Sequence, residues 1–312
     1  MSVVLITGGA GFIGAHLTKI LLDAGHKVAV VDNFSYGKRE NLLTENTRLS
    51  VYTLSILDRP ALADIIREVN PGLVYHLAAI HHIPTCELEP GVALKTNVEG
   101  TCSVLDACKS SNVEKIVFAS SGAVYEIRDE ALNEDLTPVV PHDIYSISKA
   151  CGEDLLRLYS ERGYFKGISC RLFNAVGPGE TNAHLVPEIL QQIKSGNNDI
   201  KLGNVSTYRG YIHVKDVAEA LYRLGETQAT EKYQTYNIGR ETEHTALELV
   251  EIIAEIAGKK FNIVKSQDKI RPNDRPFQRA SMAKLKRALN WEPTRTVKEA
   301  LTEAYEEVFF NE

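Results

Sequence analysis

Tyr145 and Lys149 stand four residues apart at the start of a segment with helical period, so both side chains project from one face. A free tyrosine, with a pKa of about 10, is a poor base at neutral pH, but an adjacent ammonium favours the phenolate. Together the two residues could move a proton. Taken alone, Tyr-x-x-x-Lys is common by chance as an exposed helix pair. Upstream, Ser120-Ser121-Gly122-Ala123-Val124-Tyr125 follows the apolar run Lys115–Ala119 and so lies at a strand end. Serines there are ordinary turn formers, yet a hydroxyl in that place could bond a substrate oxygen beside Tyr145.

A second set of residues suits a phosphate. The β-branched run Val3–Thr7 leads into Gly8-Gly9-Ala10-Gly11-Phe12-Ile13-Gly14, with helical sequence following at once. Gly9, Gly11 and Gly14 meet the dinucleotide spacing, while Gly8, Gly11 and Gly14 form an even triplet. A tight turn and close backbone approach leave no room for Cβ, and a helix N-terminus offers N–H groups to a pyrophosphate. Asp32 falls 18 residues beyond Gly14, where a carboxylate takes both hydroxyls of an adenosine ribose. Its charge would repel a 2′-phosphate, which favours NAD over NADP, although Lys38 and Arg39 lie nearby. A turn-forming Asp-Asn pair is the plainer alternative for Asp32.

These residues need a frame. Strand candidates at 3–7, 27–31, 49–53, 73–77, 115–119 and 167–172 alternate with helical patterns at 16–24, 59–69, 91–110 and 144–162. Such alternation predicts an α/β fold, a Rossmann-like doubly wound parallel sheet. After Leu172 the alternation stops and Gly, Pro and Asn become frequent, marking a smaller C-terminal α/β lobe. Helices are expected there at 186–195, 215–225, 246–257, 282–289 and 297–310. The reading divides the chain into residues 1–171, for the cofactor, and 172–312, for the substrate. The two are interleaved through a segment near 205–238, in which the part around Tyr211 is expected to join the sheet.

Composition narrows the class. Of 312 residues, 44% are hydrophobic and 24% charged, as in ordinary globular proteins. The 35 Lys and Arg against 41 Asp and Glu give a net charge of −6, and no basic block is long enough to track nucleic acid or an anionic membrane. The five cysteines form no C-x-x-C pair, which suits free thiols in a reducing compartment. With neither a leader pattern nor a membrane-length apolar run in view, the expectation is a cytoplasmic protein. His81, His82 and Cys86 invite a zinc reading, but no spaced partner set accompanies them, and no metal is expected.

The ordered series of motifs resembles the extended short-chain dehydrogenase/reductase family and, within it, the nucleotide-sugar epimerases of the UDP-galactose 4-epimerase kind. The resemblance covers nearly the whole chain: Thr7 to Gly14, Asp32-Asn33-Phe34-Ser35, His76-Leu77-Ala78-Ala79, Asn97 to Thr101, Ser120 to Tyr125, Tyr145 to Lys149, Arg171 to Asn174, Arg209 to Val214 and Asn290 to Thr294. It implies NAD as cofactor. Gly8, Gly11, Phe12, Ile13 and Gly14 would take the pyrophosphate, and Asp32, Asn33 and Ser35 the adenosine ribose. Ser55 and Ile56 would stand at the adenine, Leu77, Ala78, Ala79 and His81 would line the cofactor, and Asn97 would support the strand end. Lys149 would bond the nicotinamide ribose, Tyr145 would act as general base and acid, and Ser121 would be its companion on the substrate. Asn174, Leu185, Arg209 and Arg271 match positions that contact a nucleotide-diphosphate sugar, most simply a UDP-sugar. A homodimer through the 91–110 and 144–162 helices is also implied.

Several positions depart from the family pattern. Related dehydratases carry acids where this chain has Gly122 and Ala123, neither of which can move a proton. Gly210 replaces the usual aspartate after Arg209, and Ser55-Ile56 replaces an Asp-hydrophobic pair. Glu126 and Glu153 could lie near the pocket, a solvated carboxylate being the plainer expectation for each. The implied reaction is reversible inversion at sugar C4 through a 4-keto sugar. A 4-ketoreductase with net hydride transfer and a non-catalytic dinucleotide-binding module are the alternatives.

Overall fold

The computed structural model describes residues 2–180, 182–228, 230–270 and 275–310. Seven strands form one parallel sheet: β1 (Val3–Thr7), β2 (Lys27–Asp32), β3 (Leu49–Thr53), β4 (Leu73–His76), β5 (Lys115–Ser121), β6 (Lys166–Leu172) and β7 (Tyr233–Ile238). Their order is β7-β6-β5-β4-β1-β2-β3. Side chains alternate between two cores. Val4, Ile6, Val28 and Val30 face Leu17 and Leu21 of helix α1 (Phe12–Asp23) on one side. Leu5, Ala29, Val31 and Val74 face Leu62 and Ile66 of α2 (Arg59–Val69) and Val104 of α3 (Gly100–Lys109) on the other. Burial of both faces is why these strands read as unbroken apolar runs.

The chain changes direction across the sheet between β1 and β4, so the loops after those two strands splay apart and leave a crevice. The glycine loop follows β1 and Leu77-Ala78-Ala79 follows β4. Helix α1 begins at Phe12, four residues before the helix expected from the sequence, because the Gly8 to Gly11 turn delivers the chain directly into helical geometry. The 91–110 segment is also more structured than its periodicity suggests. A short helix at Pro90–Leu94 passes through a π-helical turn, Lys95–Glu99, into α3. Such a turn re-aims side chains, and here it contains the buried Asn97. Helix α4 (Ile144–Glu161) starts on a capping box in which Asp143 accepts from the Ser146 backbone and the Ser146 hydroxyl answers.

The segment around Tyr211 does not enter the main sheet. Tyr211–His213 pairs with Asn174–Val176 as a separate two-stranded unit, and the seventh strand of the main sheet is β7, against β6. The chain leaves the sheet at Phe173, whose ring packs where side chains on Gly122 and Gly239 would otherwise stand. Helix α6 (Val214–Glu226) then packs on α1. A third core joins α5 (Leu185–Lys194), α7 (Ala246–Ala257) and α9 (Val297–Phe310) around Ile189, Leu249 and Leu301. Among the described residues no helix is long and apolar enough to cross a membrane.

Candidate active site

The glycine loop is closed to side chains. Gly8 has φ +74°, and a Cβ there would stand 2.7 Å from the Ala78 nitrogen; one on Gly14 would stand 2.2 Å from the Gly8 carbonyl oxygen. The first turn of α1, with Phe12 and Ile13, has neither a side-chain cap nor an acidic residue. Its N–H groups and positive dipole end are therefore open to an anion. At the tip of β2, Asp32 accepts from the Ala10 nitrogen (3.0 Å) and the Phe34 nitrogen (2.8 Å), which fixes the carboxylate beside the loop. Asn33 accepts from the Ser35 nitrogen at 3.1 Å and shapes the same turn. Arg39 stacks 4.6 Å over the Phe34 ring and donates to Thr53 Oγ1 at 2.8 Å, so it is already engaged. These residues fit NAD. Ser55 turns its hydroxyl to the Leu57 nitrogen. The Ile56 side chain is buried beneath Gly100, where a Cβ would come within 2.5 Å of its Cδ1.

Across the crevice, Asn97 accepts from the Ile80 nitrogen and donates to the Ile80 oxygen, both at 2.8 Å, and donates to Ser148 Oγ at 2.9 Å. One buried amide thus fixes the Leu77 to His81 segment against α4. His76 lies between Thr7 Oγ1 (2.7 Å) and Thr101 Oγ1 (2.9 Å), and burial pushes its pKa down to about 3. Burial, with His184 and Lys149 nearby, also holds His81 down to about 3, so both imidazoles are neutral.

The residues expected to move a proton, Ser121, Tyr145 and Lys149, meet at the end of β5. Burial pushes the Tyr145 phenol well above the usual tyrosine range, and the neighbouring Ser121 hydroxyl acts the other way. Lys149 Nζ lies 5.8 Å from the Tyr145 ring centroid and donates to the Ala119 oxygen at 2.8 Å. Burial draws Lys149 down to about 8. Gly122 is sealed by the Phe173 ring, with a Cβ 2.9 Å from its Cζ, so no acid fits at that position.

The residues expected at the sugar nucleotide lie on the second lobe: Asn174 after β6, Leu185 at the start of α5, and Arg209 on a short strand. Arg271 falls outside the described residues. Arg209 donates to the Tyr208 oxygen at 2.9 Å. Gly210 is required where an aspartate was anticipated, since a Cβ would stand 2.3 Å from the Arg240 oxygen. Arg275, 8% exposed, donates to the oxygens of Ala123 (2.6 Å) and Tyr125 (3.0 Å) and feels the charge of Arg209. The sequence reading did not single it out. His184 sets its ring, tilted, 5.3 Å from that of His81 and 5.6 Å from that of His82, and bonds Glu180. Among the described residues no three His, Cys, Asp or Glu side chains are grouped to hold a metal ion.

Residues 4–239 match the NAD dependent epimerase/dehydratase family. The chain belongs to that family, and NAD is its cofactor. Within the epimerase/dehydratase family, the UDP-glucose 4-epimerase of Bacillus subtilis is 30% identical, over 97% of this chain and 95% of that protein. The dTDP-glucose 4,6-dehydratase of Neisseria gonorrhoeae is 31% identical over 96% and 93%. The structure of Thermus thermophilus UDP-glucose 4-epimerase with NAD superposes with a TM-score of 0.89, at 30% identity, covering 99% of each chain. Sequence identity to these two relatives is nearly the same, but the epimerase relatives and the NAD-bound epimerase structure make the chain an NAD-dependent nucleotide-sugar 4-epimerase.

Two features of this epimerase/dehydratase chain take their meaning only from the fold. A strap, Gly177-Pro178-Gly179, crosses from the second lobe to α1. His16 Nε2 pairs with the Pro178 oxygen at 3.0 Å, the Gly179 nitrogen donates to Glu307 at 2.7 Å, and a Gly179 Cβ would lie 3.9 Å from the Phe12 ring. The second is Glu153. Contrary to expectation it is buried, 6% exposed, while Glu126 pairs with Arg128 near the surface. The sequence signal was present, because Tyr145, Lys149 and Glu153 recur at four-residue intervals along one helix face.

Proposed function

We propose that the protein inverts C4 of a UDP-hexose through a transient 4-keto sugar. The observation that carries this reading is the grouping of Ser121, Tyr145 and Lys149 at a strand end where positions 122 and 123 bear no acid. Elimination needs an acid there; epimerisation does not. Tyr145 takes the proton from the C4 hydroxyl as the carbonyl forms and returns it when the alcohol is restored, and Ser121 orients that oxygen. Bound NAD supplies the acceptor and then the donor of hydride, so no net redox change results. Lys149 holds the nicotinamide ribose and places a positive charge near the phenol. Arg209 anchors the diphosphate, which lets the hexose turn over without leaving; the planar guanidinium suits paired, charge-assisted bonds. Arg271 is assigned to the same task on resemblance.

The outer face of α4 supports a homodimer. Ile147 and Leu158 are 46% and 39% exposed, and with Ala150, Cys151 and Leu155 they line an apolar groove of about 660 Å³. A second copy applied through a two-fold axis would cover this face isologously. Five free thiols suit the reducing cytoplasm.

The deciding experiment incubates NAD-loaded protein with a panel of nucleotide sugars and follows C4 configuration by NMR. Interconversion of a C4-epimeric pair without net NADH is expected. Stoichiometric consumption of NADH with a 4-keto sugar would instead establish a ketoreductase, and loss of water a dehydratase.

A further inference from the structure

We propose that Glu153 is a positioning residue for Ser121, Tyr145 and Lys149, locking α4 in register with the end of β5 and setting the charge that Lys149 faces. The inference rests on the proton-transfer roles given above. Ser120 Oγ donates to Glu153 Oε1 at 2.5 Å, one residue before Ser121. One residue earlier still, the Ala119 oxygen accepts from Lys149. Consecutive residues of the strand are thus clamped by side chains one turn apart on α4. The register that follows brings Ser121 opposite Tyr145. Arg171 of β6 closes the cluster with a two-pronged ion pair, Nε to Oε1 at 2.9 Å and Nη2 to Oε2 at 2.7 Å.

Burying such a pair contributes little net stability compared with apolar packing. Its use here is geometric and electrostatic. The groups facing Lys149 come from several elements: Cys86 on the 83–88 helix, His76 at the end of β4, His81 in the loop beyond it, the Phe118 ring of β5 at 5.0 Å, and Tyr145 and Glu153 on α4 itself. Burial pushes the Cys86 thiol up to about 11, the two imidazoles down to about 3, and the Tyr145 phenol upward. At neutral pH those four groups are uncharged. Glu153 therefore supplies the negative charge among the named neighbours, opposing the desolvation of the Lys149 ammonium.

The test compares NAD-loaded wild type with Glu153→Gln, Glu153→Asp and Ser120→Ala. Glu153→Gln keeps one oxygen for Ser120 Oγ and Arg171 Nε, loses the acceptor for Arg171 Nη2, and removes the charge. It is expected to lower kcat by about tenfold or more with KM little changed, and to move the alkaline limb of the kcat profile down by about one pH unit. The Lys149 resonance of ¹³C-lysine-labelled holoprotein should titrate at correspondingly lower pH, a readout that needs no turnover. Ser120→Ala keeps the charge and should reduce kcat several-fold without moving the limb. Glu153→Asp should restore the limb but not kcat. Unchanged Lys149 titration in Glu153→Gln overturns the electrostatic role; wild-type kcat in Ser120→Ala overturns the register role. Should Glu153→Gln fail to fold, Ser120→Ala still decides the register role, and Glu153→Met combined with Arg171→Met, which removes both buried charges together, carries the Lys149 titration in its place, with an unchanged titration again overturning the electrostatic role. Absence of epimerisation by wild type would sink the functional reading alone, since the lysine titration would stand apart from it.

Discussion

Lys149 donates its ammonium to the Ala119 carbonyl oxygen over 2.8 Å, which ties the cationic member of the site to the strand that presents Ser121. Burial brings this lysine to about 8. The ammonium is present below that pH and lost as pH rises through it. Steady-state kcat should therefore fall on the alkaline side of about 8, the limb being attributable to Lys149. In Lys149→Met the limb should vanish, with kcat reduced by about 10²–10⁴, as for loss of a group that supports general acid–base transfer. Retention of the limb in that variant would assign it elsewhere.

His76 predicts acid lability. Its folded pKa, about 3, lies below the ordinary histidine value of 6.5. As pH falls from 6.5 toward 3, the unfolded chain takes up the proton and the folded chain does not. Stability is therefore lost across that window by up to about 1.4 kcal/mol for each pH unit. Chemical denaturation at several pH values should show the slope, to which His81 adds a similar share, and His76→Gln should reduce it by about half.

The cradle predicts a cofactor-binding failure from one methyl group. In Gly14→Ala the new Cβ meets the Gly8 carbonyl oxygen at 2.2 Å, an approach only backbone movement can relieve. Purified variant should carry less than about a tenth of the wild-type NAD, measured by absorbance after denaturation, because the amides that face the pyrophosphate are displaced.

Retention of NAD should also depend on the strap. Glu307 holds the Gly179 nitrogen, and His16 holds the Pro178 oxygen beside Phe12. Glu307→Ala is expected to release NAD about tenfold faster on dilution while leaving kcat near wild type at saturating NAD, consistent with loss of one charge-assisted hydrogen bond. A release rate equal to wild type would show that the strap does not close over the cofactor.

The exposed face of α4 gives a prediction for assembly. Ile147→Asp combined with Leu158→Asp puts two charges into the apolar groove. Light scattering should report a dimer for wild type and a monomer for the variant, since a desolvated unpaired carboxylate costs several kcal/mol at an interface. A monomeric wild type would remove the proposal.

The sheet-forming first half, the glycine turn and the residues proposed to move the proton were all legible along the chain. Those features are local: a strand, a turn and a helix follow one another within about 30 residues, and their periodicity needs no distant partner. The even spacing of Tyr145, Lys149 and Glu153 was equally local, yet it could not reveal that Glu153 is buried. That depended on Arg171, which arrives from another strand to balance the charge. Long-range packing likewise decided that Tyr233–Ile238, not the Tyr211 segment, completes the sheet. It also turned Gly210 and Gly122 from apparent departures into requirements, because Arg240 and the Phe173 ring occupy the space a side chain would need. Ion pairing, burial and steric exclusion are properties of neighbours in space, and only the folded chain specifies who those neighbours are.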